Sequence, residues 1–143
     1  MDARPLLLIE DDDDDILFMR RALNGAGIKN PLCVIQDGEV AVTYLQKLAD
    51  EAKPSLFPCL VLLDLKLPRR NGLEVLRWIR THKLLKNLVV VMLTSSSEPQ
   101  DIKSASELGA NSFLAKPNSH DDLNDLVIRL KAYWLEADLL VKL

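Results

Sequence analysis

Five short apolar runs punctuate the chain: Leu6 to Ile9, Leu32 to Ile35, Cys59 to Leu63, Val89 to Leu93 and Ser112 to Ala115. Each has strand length and none alternates cleanly with polar residues, the pattern of strands covered on both faces in a parallel sheet. The intervening segments carry a helical period instead. Ile16, Met19 and Leu23 lie three and four apart; Val40, Ala41, Tyr44, Leu45 and Leu48 make a second such face, and Leu73, Leu76 and Ile79, followed by Arg80, a third. Turn chemistry falls between the periods: Asn24-Gly25 with Gly27 closes the first helix, Asp37-Gly38 leaves the second strand, Asn71-Gly72 opens the third helix and Gly109 closes the fourth. Ser97-Glu98-Pro99 is expected to start helix four, with Ser97 as cap and proline in the first turn. Five βα units joined by right-handed crossovers predict a doubly wound α/β sheet with helices on both faces.

Composition narrows the function classes. At 143 residues, 48% hydrophobic and 27% charged, residues 1–143 read as one globular domain without room for a separate output domain. A formal charge of -3 offers no basic field for a nucleic-acid duplex. The first apolar run is too short for a signal peptide or a membrane span, so a cytoplasmic location is expected. Cys33 and Cys59 sit in apolar runs without metal-site spacing and read as buried free thiols.

In open α/β sheets ligands collect beyond the carboxyl ends of the strands. There the chain places Glu10-Asp11, Asp64, Thr94-Ser95 and Lys116-Pro117, so acids, a hydroxyl and an amine converge on one rim. Clustered carboxylates repel unless a cation neutralises them, and an all-oxygen set without His or Cys favours Mg²⁺. With an amine for phosphate oxygens and Asp64 as acceptor, the parts suit phosphoryl transfer. Of the remaining acids, Asp13 to Asp15 fit the first turn of helix one, where the dipole favours negative charge, and Asp12 is open between capping and tuning the site. His82, His120, Arg69 and Arg70 read as solvated surface residues, although the two arginines could also meet a kinase.

The stretches Leu7-Leu8-Ile9-Glu10-Asp11-Asp12, Leu62-Leu63-Asp64-Leu65-Lys66-Leu67-Pro68 with Gly72, Val91-Met92-Leu93-Thr94-Ser95 and Gly109 to Pro117 resemble the receiver domain of two-component response regulators. The resemblance spans essentially the whole chain, and the intervals of 30 positions from Asp64 to Thr94 and 22 from Thr94 to Lys116 agree with it. It implies a flavodoxin-like, five-stranded parallel sheet of order 2-1-3-4-5 with five helices. It also implies that Asp64 accepts a phosphoryl group from a sensor histidine kinase. Glu10, Asp11, Asp64 and the backbone carbonyl of Lys66 would hold Mg²⁺, Asp11 directly and Glu10 through water. Lys116 would pair with the phosphoryl oxygens, Thr94 and Phe113 would switch the face formed by helix four, strand five and helix five, and Lys116-Pro117 would be a cis peptide.

Asp11 to Asp64 spans 53 positions, longer than in the compact chemotaxis receiver, with the excess in Asp50 to Pro58. That is either a tolerated surface insertion or, with the Asp-Leu-Lys-Leu-Pro motif, a likeness to the stand-alone receivers that serve phytochrome-type kinases. Along the last helix, Leu123, Leu126, Val127, Leu130 and Trp134 make an inward stripe, while Ile128, Ala132, Leu135 and Leu139 make a second. With residues 135–143 as an extension of that helix, the second stripe suggests a homodimer, the alternative being a helix that folds back on its own domain. An aspartyl-nucleophile Mg²⁺ phosphatase is the other function class, disfavoured because Lys66 stands where its second Asp would be; a flavodoxin-like FMN site is disfavoured by the acids after strand one.

Overall fold

The apolar runs become five parallel strands, β1 (Leu6–Ile9), β2 (Leu32–Ile35), β3 (Leu60–Leu63), β4 (Val90–Thr94) and β5 (Ser112–Ala115), in the order β2-β1-β3-β4-β5. The structure is a computed structural model and describes residues 4–96 and 98–136. Five helices connect or follow the strands: α1 (Asp13–Gly25), α2 (Gly38–Glu51), α3 (Gly72–Thr81), α4 (Pro99–Glu107) and α5 (His120–Leu130). Because successive side chains leave a strand on opposite faces, each unbroken apolar run serves two layers. Leu7, Ile9, Val61, Leu63, Val90 and Met92 pack with Ala41, Leu45, Val75, Leu76 and Ile79 of α2 and α3. Leu6, Leu8, Leu60, Leu62, Val91 and Leu93 pack with Ile16, Met19 and Leu23 of α1 and with Leu126, Val127 and Leu130 of α5.

In register, Ile9 lies beside Leu63, Leu63 beside Met92 and Thr94 beside Ala115, so β1, β3, β4 and β5 end near one level. Glu10, Asp64, Thr94 and Lys116 therefore share a rim. The helix starts hold it in place. Asn71 caps α3 through a reciprocal capping box with Glu74, and Gly72 donates its N–H to the Leu65 carbonyl at 2.7 Å. A β-carbon at position 72 would overlap the Asp64 carbonyl oxygen and lie 2.9 Å from Leu65 Cα, so the start of α3 is pressed directly against the phosphoacceptor candidate's backbone. At the far end of α3, Arg80 ties the following loops together, donating to the Lys86, Leu88 and Gly109 carbonyls and to Asn111 Oδ1 at 2.7–3.0 Å.

Several sequence expectations change. Val40 is exposed and Val42 buried, because the apolar face of α2 runs through Gly38, Ala41, Val42, Leu45 and Ala49. Ser97 lies outside the described residues; α4 starts at Pro99 with Glu98 at the cap position and no side-chain cap bond, and Ser96 Oγ instead donates to Asp101 at 2.6 Å and accepts from the Glu98 N–H. The segment Asp50 to Pro58 contains a 3₁₀ turn, Pro54–Leu56, and turns Phe57 into the core. A purely superficial insertion would not bury that ring.

The largest correction concerns the C-terminal stripe. Ile128 is 54% exposed as expected, but Leu135 is 4% exposed and packs into the α1–α5 core with Trp134 against it; Leu139 lies outside the described residues. The cause is a π-helical turn over Lys131–Glu136. A π turn bonds i to i+5, so Leu135 stands one turn beyond Leu130 and shares its inward face, whereas α spacing would have sent it outward. The second stripe is thus broken, and Leu135 is not part of a dimer face. The Lys131 ammonium fixes the turn from the side by donating to the Ala26 carbonyl at 3.0 Å.

Candidate functional site

Each acid reaches the rim by its own local logic. Glu10 follows β1 directly, is buried, and accepts the Asp12 N–H through Oε2 at 3.1 Å. Asp12, open in the sequence, is the N-cap of α1 and accepts the Asp15 N–H. Asp64 ends β3, is buried, and accepts the Leu65 N–H through Oδ1 at 2.7 Å. Lys116 follows β5, where its own N–H bonds the Thr94 carbonyl at 2.8 Å. Its ammonium is the hub of the site: it lies 2.5 Å from Glu10 Oε1, 2.8 Å from Asp15 Oδ2 and 3.1 Å from Asp64 Oδ2. Asp15 therefore does more than fill the first turn of α1.

Three carboxylates around one ammonium leave the cluster short of positive charge. Burial pushes the Glu10 carboxyl up to about 7; the Lys116 hydrogen bond opposes this and the Asp64 charge adds to it. Burial works against the charge on Lys116, yet the hydrogen bonds it donates to Asp15 and Glu10 and the charges of Asp64 and Glu10 outweigh it and hold the amine above the ordinary lysine value. Glu10, Asp11 and Asp64 each bring a carboxylate oxygen within 4.8 Å of the others, Asp11 being exposed and its two neighbours buried. Such an all-oxygen set suits a hard divalent cation.

Two spaces adjoin the cluster. On the Lys116 side a cavity of about 290 Å³ runs between α1 and α5, with Leu8, Met19, Leu62 and Leu93 at its floor and His120 at its edge. On the other side Asp11 faces a cleft bordered by Lys66, Pro68 and Asp101. His120 packs edge-on against Phe18 with ring centroids 4.7 Å apart, so it belongs to the rim of the site and not to open surface. His82 is half-buried, bonded to Gln46 and packed on Trp78.

Thr94 is fully buried, its Oγ1 accepting the Ser96 N–H at 3.3 Å, and Phe113 is half-buried against the α2–α3 core. No cis peptide occurs among the described residues: Lys116-Pro117 is trans, contrary to the sequence expectation. Trans is the lower isomer of an X-Pro bond by roughly 0.5–1 kcal/mol, and in it Lys116 already spans all three carboxylates. Arg69 and Arg70 are not simply solvated, for they pair with Asp37 at 2.7 Å and Glu39 at 3.0 Å. No sequence signal marks those pairs, which join residues more than 30 positions apart.

Comparison with known proteins agrees with the geometry. Residues 6–128 match the response regulator receiver domain model. The chain is 38% identical over 130 residues to the probable methanogenesis regulatory protein FilR2 of Methanothrix harundinacea, covering 91% of this chain and 83% of that protein. It is 36% identical over 132 residues to response regulator Rcp1 of Synechocystis sp., covering 92% and 89%. Among solved structures, the Mn²⁺-bound form of Rcp1 superposes with a TM-score of 0.81 at 36% identity, covering 92% of this chain and 94% of that one. The phosphorylated cyanobacterial phytochrome response regulator RcpA does so with 0.83 at 31%, covering 94% and 95%. With sequence, sheet order and rim chemistry in agreement, the chain belongs to the response regulator receiver domain family, the signalling modules phosphorylated in two-component systems.

Proposed function

We propose that this chain is a phosphoacceptor switch in which Asp64 takes a phosphoryl group from a sensor histidine kinase with Mg²⁺ held by Glu10, Asp11, Asp64 and the Lys66 carbonyl. The observation that carries the reading is the buried Asp64 carboxylate held 3.1 Å from the Lys116 ammonium with Asp11 and Glu10 oxygens within 4.8 Å. Mg²⁺, when bound, would neutralise the carboxylates and the charge on the incoming phosphoryl oxygens. The chain's own residues do the rest. An Asp64 oxygen attacks in line, a bond from phosphorus to that oxygen forms, and the bond from phosphorus to the donor histidine nitrogen breaks. Lys116 turns from the carboxylates to the transferred oxygens. Thr94 gives up its bond with the Ser96 N–H and donates its hydroxyl to the phosphoryl group, and Phe113 follows into the space that opens, changing the α4–β5–α5 face.

The kinase is proposed to be of the phytochrome type, since the phytochrome response regulator RcpA matches this chain over 94% of its length with the same fold. A second copy is the proposed partner for the α4–β5–α5 face, where Ile128 and Tyr133 remain exposed. Incubation with Mg²⁺ and acetyl phosphate is expected to give a labile mass addition that Asp64→Asn lacks, and light scattering a shift from monomer to dimer on phosphorylation. Equal labelling of wild type and Asp64→Asn, with acetyl phosphate and with a phosphorylated phytochrome-type kinase, would refute the switch.

A further inference from the structure

The corner between β2 and α2, residues 36–39, contributes no ligand to the site, yet it touches both loops that do. On one side Gln36 Nε2 donates to Asp13 Oδ1 at 2.7 Å and to the Asp11 carbonyl at 3.4 Å. On the other side three bonds reach the loop after Asp64. Arg69 Nε donates to Asp37 Oδ2 at 2.7 Å, Arg70 Nε to Glu39 Oε2 at 3.0 Å, and the Gly38 N–H to the Pro68 carbonyl at 3.2 Å. The approach is too close for any side chain at 38, where a β-carbon would overlap the Arg70 carbonyl oxygen. Arg69 is held at φ +65°, a left-handed conformation that residues other than glycine and asparagine rarely adopt. Between the two loops lies the cleft that Asp11 and Lys66 border.

We infer that the Asp37–Arg69 pair is a clasp that fixes the width of this cleft, making Asp37 and Arg69 positioning residues for the divalent cation. The inference rests on the metal reading proposed above. Its geometry separates two roles of Asp37: Oδ1 caps α2 by accepting the Glu39 and Val40 N–H groups, while Oδ2 alone takes Arg69. Asn at 37 can keep the cap, since Asn and Asp cap equally well, but it presents its amide to Arg69 and loses the pair. Asn at 69 tolerates positive φ and also loses the pair.

Charge alone and the clasp give opposite expectations for the second variant. Removing the Asp37 charge makes the cleft less attractive to a cation, and removing the Arg69 charge makes it more attractive. If the pair positions the loops, both Asp37→Asn and Arg69→Asn weaken binding, and the double variant is no weaker than the poorer single one. Titration calorimetry with Mn²⁺ alone, at about 0.15 M salt where surface charges more than ~8 Å apart are screened, is expected to show a loss of about three- to tenfold for each. That is at or below the 10–100-fold typical of buried outer-shell partners, because the Arg69 side chain is 60% exposed. Urea midpoints should stay near wild type for Asp37→Asn. Arg69→Asn binding Mn²⁺ as tightly as wild type, or more tightly, overturns the clasp. Wild-type protein that takes up no Mn²⁺ overturns instead the metal reading beneath it.

Discussion

Gly72→Ala is expected to damage the fold and the site together, because one missing β-carbon lets α3 lie on the backbone of Asp64. The new methyl would overlap the Asp64 carbonyl oxygen and sit 2.9 Å from Leu65 Cα and 3.0 Å from the Asp64 carbonyl carbon. The tightest contact is 2.2 Å to the Asp64 carbonyl oxygen, and non-bonded heavy atoms do not approach within about 3.0 Å, so the two segments must part by roughly 0.8 Å or more. Overpacking of this kind costs about 1–3 kcal/mol. The same movement stretches the 2.7 Å Gly72 to Leu65 bond, worth about 0.5–1.5 kcal/mol. A loss of about 1.5–4.5 kcal/mol follows from those two contributions. It should appear in urea unfolding as a lower midpoint with an unchanged slope. Gly25→Ala is the control: nothing lies within 4 Å of a β-carbon there and the residue closes α1 without positive φ, so the change is expected to be neutral or slightly stabilising. In the folded fraction of Gly72→Ala, Asp64 shifts relative to Lys116 and labelling by acetyl phosphate should slow. A Gly72→Ala protein as stable as wild type and labelled as fast would refute the close approach on which this reasoning depends.

Other expectations follow from single features. Leu135→Ala should cost about 2–5 kcal/mol of unfolding free energy as a core truncation, while Ile128→Ala should stay within about 0.5 kcal/mol of wild type; the reverse order in urea melts would restore Leu135 to the surface. Apparent Mg²⁺ affinity should rise with pH up to about 7 and level off above it, because a proton held by Glu10 below that value must leave when the cation enters; calorimetry showing no pH dependence between 5.5 and 8.5 would contradict this. Arg80→Met should destabilise the protein by about 1.5–3 kcal/mol, the worth of a charged hydrogen-bonding group, without changing Mn²⁺ affinity, since its partners lie at the opposite end of α3 from the rim.

The strands and the rim were legible because a parallel sheet imposes a simple rule: an unbroken apolar run, then a polar residue at the carboxyl end. Glu10, Asp64, Thr94 and Lys116 all follow from it. What escaped were partners distant in sequence and local departures from an ideal helical count. Asp15 looks the same in sequence whether it only favours a helix dipole or also holds an ammonium, and its partner is 101 positions away. Arg69 and Arg70 read as solvated because nothing local names Asp37 and Glu39. Val40 was set on the buried face that Val42 occupies because two valines two positions apart allow either phase of the helical period. Leu135 was misread because a 3.6-residue period assumes that the helix keeps its pitch, and no residue type announces a π turn.

That widened turn behaves as a frame shift in three dimensions. Up to Leu130 the last helix counts residues in α steps, and from Lys131 it counts them one residue longer per turn. Wound at the α count, the same residues would bring Trp134, four after Leu130, to the slot that Leu135 fills, whereas deleting one residue between 132 and 134 would restore the α count with Leu135 still in that slot. Which side chain enters the core beyond Leu130 is therefore encoded by the number of residues in this stretch as much as by their kind.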